Sequence, residues 1–254
     1  MVLHLLPEVA LLFMLAFARL GAMVMLAPGF GETTVPVRVR LVFAFFLTLA
    51  LYPIVAGLYP AGLSKSLPAA ATMLAGELII GLFLGMATRL LLAGAQVAGA
   101  TIATQLGLGF AMTVDPTQGQ QGVIVGNFLS LTAVTLIFVM DLHLVAIGAM
   151  ASSFQMFPPG GWIPSGDFAQ VTVQMVAESF KVGVQISAPF LAFGLVFNLG
   201  LGMLQKMMPQ FQIYFAAMPA SIGLGLLLFG LVLASLLAWY MDHVRDGLMR
   251  LVAG

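Results

Sequence analysis

The chain is predicted to be an all-α, membrane-associated protein of about six long apolar helices with kinks. Hydrophobic residues make up 61% of its 254 residues and charged residues only 7%. A soluble domain carries roughly a quarter charged residues, so water is not this chain's main solvent. Six apolar runs, near 9–27, 39–59, 69–101, 123–151, 171–203 and 210–240, approach or exceed the length of a spanning helix. The alternating pattern of barrel strands is missing, and backbone groups in lipid must pair within their own segment, so helices follow.

Taken in order, the first run starts without Lys or Arg and carries Arg19 in its middle. It does not read as a cleavable signal, and the N-terminus is expected to be retained. Pro28–Thr34 breaks the chain, and Pro36 starts the second run. Arg38 and Arg40 follow at once; cations there oppose the helix dipole, so carboxylates or lipid phosphates are expected to meet them. Tyr59–Pro68 reads as a surface loop. In the third run Gly81 and Gly85, with Gly76 before and Ala95 and Gly99 after, permit close approach between helices. Gly107–Gly122 holds four glycines and Pro116 and is expected to be irregular. Phe157–Gly166 is another Pro/Gly loop, with Trp162 as an interfacial anchor. The third and fifth runs exceed 30 residues, so they kink, tilt, divide or continue beyond the membrane. Near the end, Gln205, Lys206, Gln210 and Gln212 cluster around Pro209 between two apolar runs, as at the tip of a tight helical hairpin.

Nothing here points to catalysis. There are no cysteines, and His4, His143 and His243 lie far apart without metal-ligand spacing. Gly107-x-Gly109 lacks a third glycine because position 112 is Met, and neither a P-loop nor a nucleophile elbow is present. Ser221 sits in a small-residue run and reads as helix packing. No enzyme activity, cofactor or metal is expected. Net charge is zero, which gives nucleic acid no footprint. Mean hydropathy is +1.11.

The informative polar residues are those inside apolar runs: Arg19, Glu77, Arg89, Asp141, His143, Glu178 and Lys181. Such groups are expensive in lipid and face a protein interior or a wet cavity. Glu178 and Lys181, three apart, can pair on one helix face. Glu77 and Arg89 are separated by about 18 Å of helix and cannot, so each needs a partner on another helix or another subunit. Two readings stay open: a lined path or proton relay, and structural ion pairs. The seventeen Met residues fit either a soft seal or ordinary core filling. Loop charges do not orient the chain, since Arg38, Arg40 and Lys206 on one side balance Lys65, Arg245 and Arg250 on the other.

Three blocks carry a family resemblance. Leu204-x-Lys206-x-x-Pro209-Gln210-x-x-x-Tyr214, followed by Pro219, is the first. The second runs from Ala18-Arg19-Leu20-Gly21-Ala22 through Ala27-Pro28-Gly29-Phe30-Gly31 to Val35-Pro36-Val37-Arg38-Val39-Arg40. The third is Gly107-Leu108-Gly109-Phe110-Ala111 leading to Val114-Asp115-Pro116. In this order and combination they resemble the FliR family, the R subunit of the flagellar type III protein-export gate, which is related to the T subunit of virulence injectisomes.

The resemblance implies a single export-gate domain over 1–254. Residues 1–170 resemble a P subunit and carry the mid-chain loop 106–123; residues 171–254 resemble a Q-type hairpin with a C-terminal tail. It implies partners: P and Q subunits, a B-type switch subunit, rod-base proteins, unfolded export substrates in transit, and membrane lipid. It places the chain at the bacterial inner membrane, in the flagellar basal body, largely projecting to the periplasmic side. Gly107, Gly109, Phe110, Met112, Asp115, Pro116 and Gly122 would plug a closed channel. Gln205, Lys206, Pro209 and Gln210 would face the cytoplasmic entrance and contact the switch subunit. Arg19, Arg38, Arg40, Glu77, Arg89, Asp141, Glu178 and Lys181 would serve buried or intersubunit pairing. The rivals are a six-helix small-solute or ion transporter using Glu77, Asp141 and Glu178, and a purely structural scaffold.

Overall fold

In the computed structural model, residues 6–32, 34–60, 63, 66–108, 124–161 and 165–253 are described. They form seven α-helices and, among the described residues, no strand. The helices are α1 (Leu6–Leu26), α2 (Val37–Val55), α3 (Leu67–Gln105), α4 (Ile124–Val139), α5 (Leu142–Met156), α6 (Ser165–Met207) and α7 (Ile213–Ala253). A 3-10 turn, Ala56–Leu58, follows α2. Five helices are long and apolar enough to cross a membrane, and α4 with α5 makes a sixth, bent by 79°.

The bend corrects one expectation. The fourth apolar run is unbroken in the sequence pattern, yet it breaks at Asp141, whose φ of 56° is left-handed. One residue of that hand interrupts the helical ladder: the Asp141 N–H bonds back to Phe138 at 3.3 Å, and the Leu144 N–H restarts the pattern on the Asp141 carbonyl at 3.0 Å. A short polar side chain tolerates this conformation better than the apolar residues around it. By contrast the third and fifth runs are single helices of 39 and 43 residues. At 1.5 Å per residue each is about 60 Å long, twice the hydrocarbon thickness. Each therefore extends beyond the membrane core or lies steeply tilted within it. Pro53, Pro189 and Pro219 all sit inside helices.

The chain folds as two compact units, one of residues 1–91, 137–175 and 245–254, the other of 92–136 and 176–244. In the first, α1 packs on α2, on the N-terminal part of α3 and on α5 around Leu15, Leu20, Met23, Val24, Ile80, Leu84, Met150 and Phe154. Gly81 and Gly85 bring α3 against α1: a Cβ on Gly81 would press on the Arg19 carbonyl, and one on Gly85 would lie 2.9 Å from the Leu26 Cβ. Phe30, in the turn after α1, stacks on Phe43 with ring centroids 4.7 Å apart.

In the second unit the C-terminal part of α3 crosses α4 where two glycines meet. A Cβ on Gly99 would collide with the Gly126 backbone. Elsewhere Gly183 accepts Val97, and Gly225 accepts Leu106. Helices α6 and α7 pair antiparallel. Phe190 lies 5.9 Å from Phe229, Gly225 faces Phe193, and Leu201 shares a cleft with Met218, so contacts step backward along α7 as they step forward along α6.

Two glycines separate packing from propensity. Gly99→Val is expected to lower stability by about 1–3 kcal/mol or more, because backbone cannot yield to a branched side chain. Gly148, inside α5, has nothing within 4 Å of the point where a Cβ would sit, so Gly148→Ala is expected to be neutral or to raise stability by up to about 1 kcal/mol. Thermal unfolding in mild detergent reads both.

Candidate functional site

The most constrained polar constellation lies inside the first unit. Arg19, in the middle of α1, has no exposed surface, and Glu77 of α3 is 2% exposed. The Arg19 Nε donates to Glu77 Oε2. Its Nη1 donates to the Ser153 and Phe157 carbonyls at 3.0 Å, and Nη2 donates to Phe157 at 3.0 Å. The guanidinium carbon also lies 4.3 Å from the Phe154 ring centroid. One planar cation thus joins a carboxylate from α3 to two carbonyls at the end of α5, one of which, Ser153, also accepts the Phe157 N–H at 2.9 Å; a lysine ammonium cannot do this with the same fork geometry.

Tyr59, just past the 3-10 turn, closes the other side. Its ring meets Phe154 edge-on at 6.4 Å. Burial, then the charge of Glu77, push its phenol above the ordinary value, against the opposing pull of Arg19. Its hydroxyl nevertheless finds no partner with hydrogen-bond geometry among the described residues.

The remaining charged candidates lie apart from this cluster. Lys181 Nζ is 3.6 Å from Glu178 Oε1, but both side chains are about half exposed, at 62% and 49%. Such a pair contributes a few tenths of a kcal/mol, roughly. Arg38 and Arg89 are exposed. Arg40 donates to the Val35 carbonyl at 3.0 Å and to the Gly31 carbonyl at 3.4 Å. It ties down the turn before α2 through backbone acceptors. Asp141 is exposed, and its place in the fold rests on its backbone.

At the hairpin, α6 ends at Met207 and α7 begins at Ile213. Gln205, Lys206, Pro209 and Gln210 are all exposed there. The turn is closed by the Met208 N–H on Leu204, the Phe211 N–H on Met208 and the Ile213 N–H on Phe211. Beneath it lies a cleft of about 280 Å³ whose polar lining includes Gln105, Asn198, Tyr214 and Ser221. Gly107 also borders this cleft, with a left-handed φ of 79°. Of the other expected plug residues, Gly109, Phe110, Met112, Asp115, Pro116 and Gly122 lie outside the described residues, as does Trp162.

Sequence reasoning does not single out Tyr59, Ser153, Phe154 or Phe157. Carbonyl acceptors leave no residue-type signal. A buried Arg within an apolar run is the available clue, since it demands several acceptors at once.

Helices that expose apolar faces, hold a buried ion pair and present a polar hairpin tip define a membrane-associated helical subunit. Residues 10–247 match the family described as Bacterial export proteins, family 1. The chain belongs to this family, that of the FliR-type export proteins. It is 39% identical over 232 residues to flagellar biosynthetic protein FliR of Caulobacter vibrioides, covering 91% of this chain and 92% of that one. It is 29% identical over 246 residues to FliR of Pectobacterium carotovorum, covering 95% and 91%. The Yop proteins translocation protein T of Yersinia pestis is 22% identical over 154 residues, covering 60% and 59%.

Removing one member of the buried pair leaves an uncompensated charge. Glu77→Ala is therefore expected to lose about 3–5 kcal/mol, while Arg19→Met with Glu77→Leu restores much of that loss. Accumulation in membranes and thermal unfolding in detergent measure both. A double variant no better than Glu77→Ala would show that hydrogen bonding to the end of α5 dominates the charge.

Proposed function

We propose that this chain is the R-type subunit of a bacterial flagellar type III export gate. It helps to form the inner-membrane-associated channel through which unfolded flagellar proteins leave the cytoplasm. Membership of the export-protein family across residues 10–247 carries the proposal. The apolar faces left open support it. On α2, Phe45, Phe46, Leu49 and Ile54 are exposed; on α7, Leu224, Leu227 and Leu231 are exposed along a helix of 41 residues. That helix is about twice as long as hydrocarbon is thick, so lipid alone does not cover it. Other chains must cover the rest, and P-type and Q-type gate subunits are the partners that fit. Residues 1–170 then stand where a P subunit would, and 171–254 form the Q-like hairpin.

On this reading the assembly projects to the periplasmic side within the basal body. The exposed tip at Lys206, Pro209 and Gln210 faces the cytoplasmic entrance, where the B-type switch subunit docks. The segment 106–123 closes the resting channel. Gly107 supports this role, since its left-handed turn redirects the chain at the end of α3.

Co-expression with P-type and Q-type subunits, extraction in mild detergent and native mass spectrometry should yield one particle. The expected composition is one copy of this chain with several of each partner. A monomer or homodimer indifferent to those partners would sink the proposal and favour the transporter, for which ion flux is the next assay. The loop is tested separately. Gly109→Asp or a short deletion within 109–122 should raise membrane ion leak and lower flagellar protein export. Unchanged leak together with unchanged export removes the plug from the proposal.

A further inference from the structure

A cleft in the second unit carries polar groups that the fold itself does not pair. Its volume is about 280 Å³, and it lies between the end of α3 and the facing stretches of α6 and α7. On α7 the lining runs from Tyr214 to Ser221, which is about 10 Å of helix. Phe197, Leu201 and Met218 supply apolar walls, and none of the described lining residues is charged. A glycine seats the Gln105 carboxamide: a Cβ on Gly194 of α6 would collide with its Oε1.

Four of its side chains can both donate and accept: Gln105, Asn198, Tyr214 and Ser221. None of these side chains hydrogen-bonds to another described residue, whereas the neighbouring Thr104 hydroxyl is spent on the Ala100 carbonyl at 2.8 Å. Ser221 is 8% exposed and Tyr214 50%, so the polar groups reach from the floor of the cleft to its rim. Two carboxamides and two hydroxyls without a charge select a neutral ligand that is itself rich in N–H and C=O groups. An acyl chain would leave these groups unpaired, which is unfavourable once water is displaced. An anion or a metal ion finds no counter-charge here. A peptide backbone fits, because every residue except proline offers one donor and one acceptor whatever its side chain. At about 3.3 Å per extended residue, the cleft takes about three residues.

We propose that this cleft is a subsite for extended polypeptide, in which Gln105, Asn198, Tyr214 and Ser221 pair with the backbone of an unfolded protein in transit. The inference rests on the export reading above and assigns a substrate contact to this face of the hairpin. Pairing through the backbone makes the subsite indifferent to sequence, while Met218 and Phe197 meet the passing side chains, the methionine adapting its shape to each. So short a contact guides the chain without retaining it.

The chain has no cysteine, so a single introduced thiol reports on one place. Met218→Cys puts it in the cleft, and Leu231→Cys, at a position 73% exposed on α7 and outside the cleft, is the control. The probe is a flagellar export substrate with single cysteines along its unfolded stretch, fused to a tightly folded domain that stalls it in transit. Mild oxidation of the assembled complex should join Met218→Cys to the probe at several of its positions, and several times more efficiently than Leu231→Cys. Asn198→Leu, at the exposed rim, should lower the Met218→Cys yield severalfold in particles that still assemble, because it removes backbone pairing and keeps the bulk. Ser221→Ala gives the same comparison where Asn198→Leu fails to assemble. Equal yields at the two thiols overturn the subsite. So does a Met218→Cys that forms no adduct while the stalled probe stays in the particle, since lipid or a neighbouring subunit then fills the cleft. A yield that neither variant moves overturns the backbone pairing. A probe absent from the particle altogether overturns the export reading itself, and this subsite with it.

Discussion

Burying a guanidinium fixes more of this fold than any single apolar contact. Arg19 cannot leave the core without abandoning its charge-assisted bonds, and it cannot stay there unless α3 and α5 arrive with acceptors in place. Apolar side chains accept many near-equivalent packings, whereas a planar five-donor fork accepts few. Between α1 and α3 the small residues set distance, and Arg19 with Glu77 sets register. The two devices sit side by side, because the Gly81 position that lets α3 approach lies against the carbonyl of Arg19 itself.

Among the described residues, the second unit achieves close packing without buried charge. Its contacts are glycine to backbone at Gly99 and Gly126 and glycine to aliphatic side chain at Gly183 and Gly225. Gln96 donates to Ser130 at 2.8 Å, and a buried Tyr240 bonds to the backbone at Ala95. Within a membrane-associated assembly, where apolar surface has no preference between lipid and protein, such contact depends on shape and on a few hydrogen bonds. Apolar faces on α2, in the first unit, and on α7 stay open to lipid or to other chains.

Much of this architecture is legible from composition and spacing. Apolar runs above spanning length mark the helices, and the cluster around Pro209 marks the hairpin turn between α6 and α7. The Gly81 and Gly85 spacing marks a real crossing. The elbow at Asp141 is not legible, because an Asp in an apolar run signals burial of charge, and its left-handed backbone has no signature in a single residue type. Arg19 and Glu77 each announce a need for partners, but 58 residues separate them, and pairing over that distance depends on the tertiary fold. The carbonyls of Ser153 and Phe157 are still less accessible to sequence reasoning, since every residue carries one and only the tertiary fold brings these two to Arg19.

The sequence separations around Arg19 bear on how the chain is made. Glu77 follows it by 58 residues, and the carbonyls at Ser153 and Phe157 by 134 and 138. At synthesis rates of about 5–20 residues per second, α1 waits several seconds for its carboxylate and longer for α5. During that interval an uncovered arginine sits in an otherwise apolar segment, which opposes committing that segment to lipid. This helix is thus made well before the carboxylate and carbonyls that hold Arg19, and its final seat is decided by helices synthesised after it.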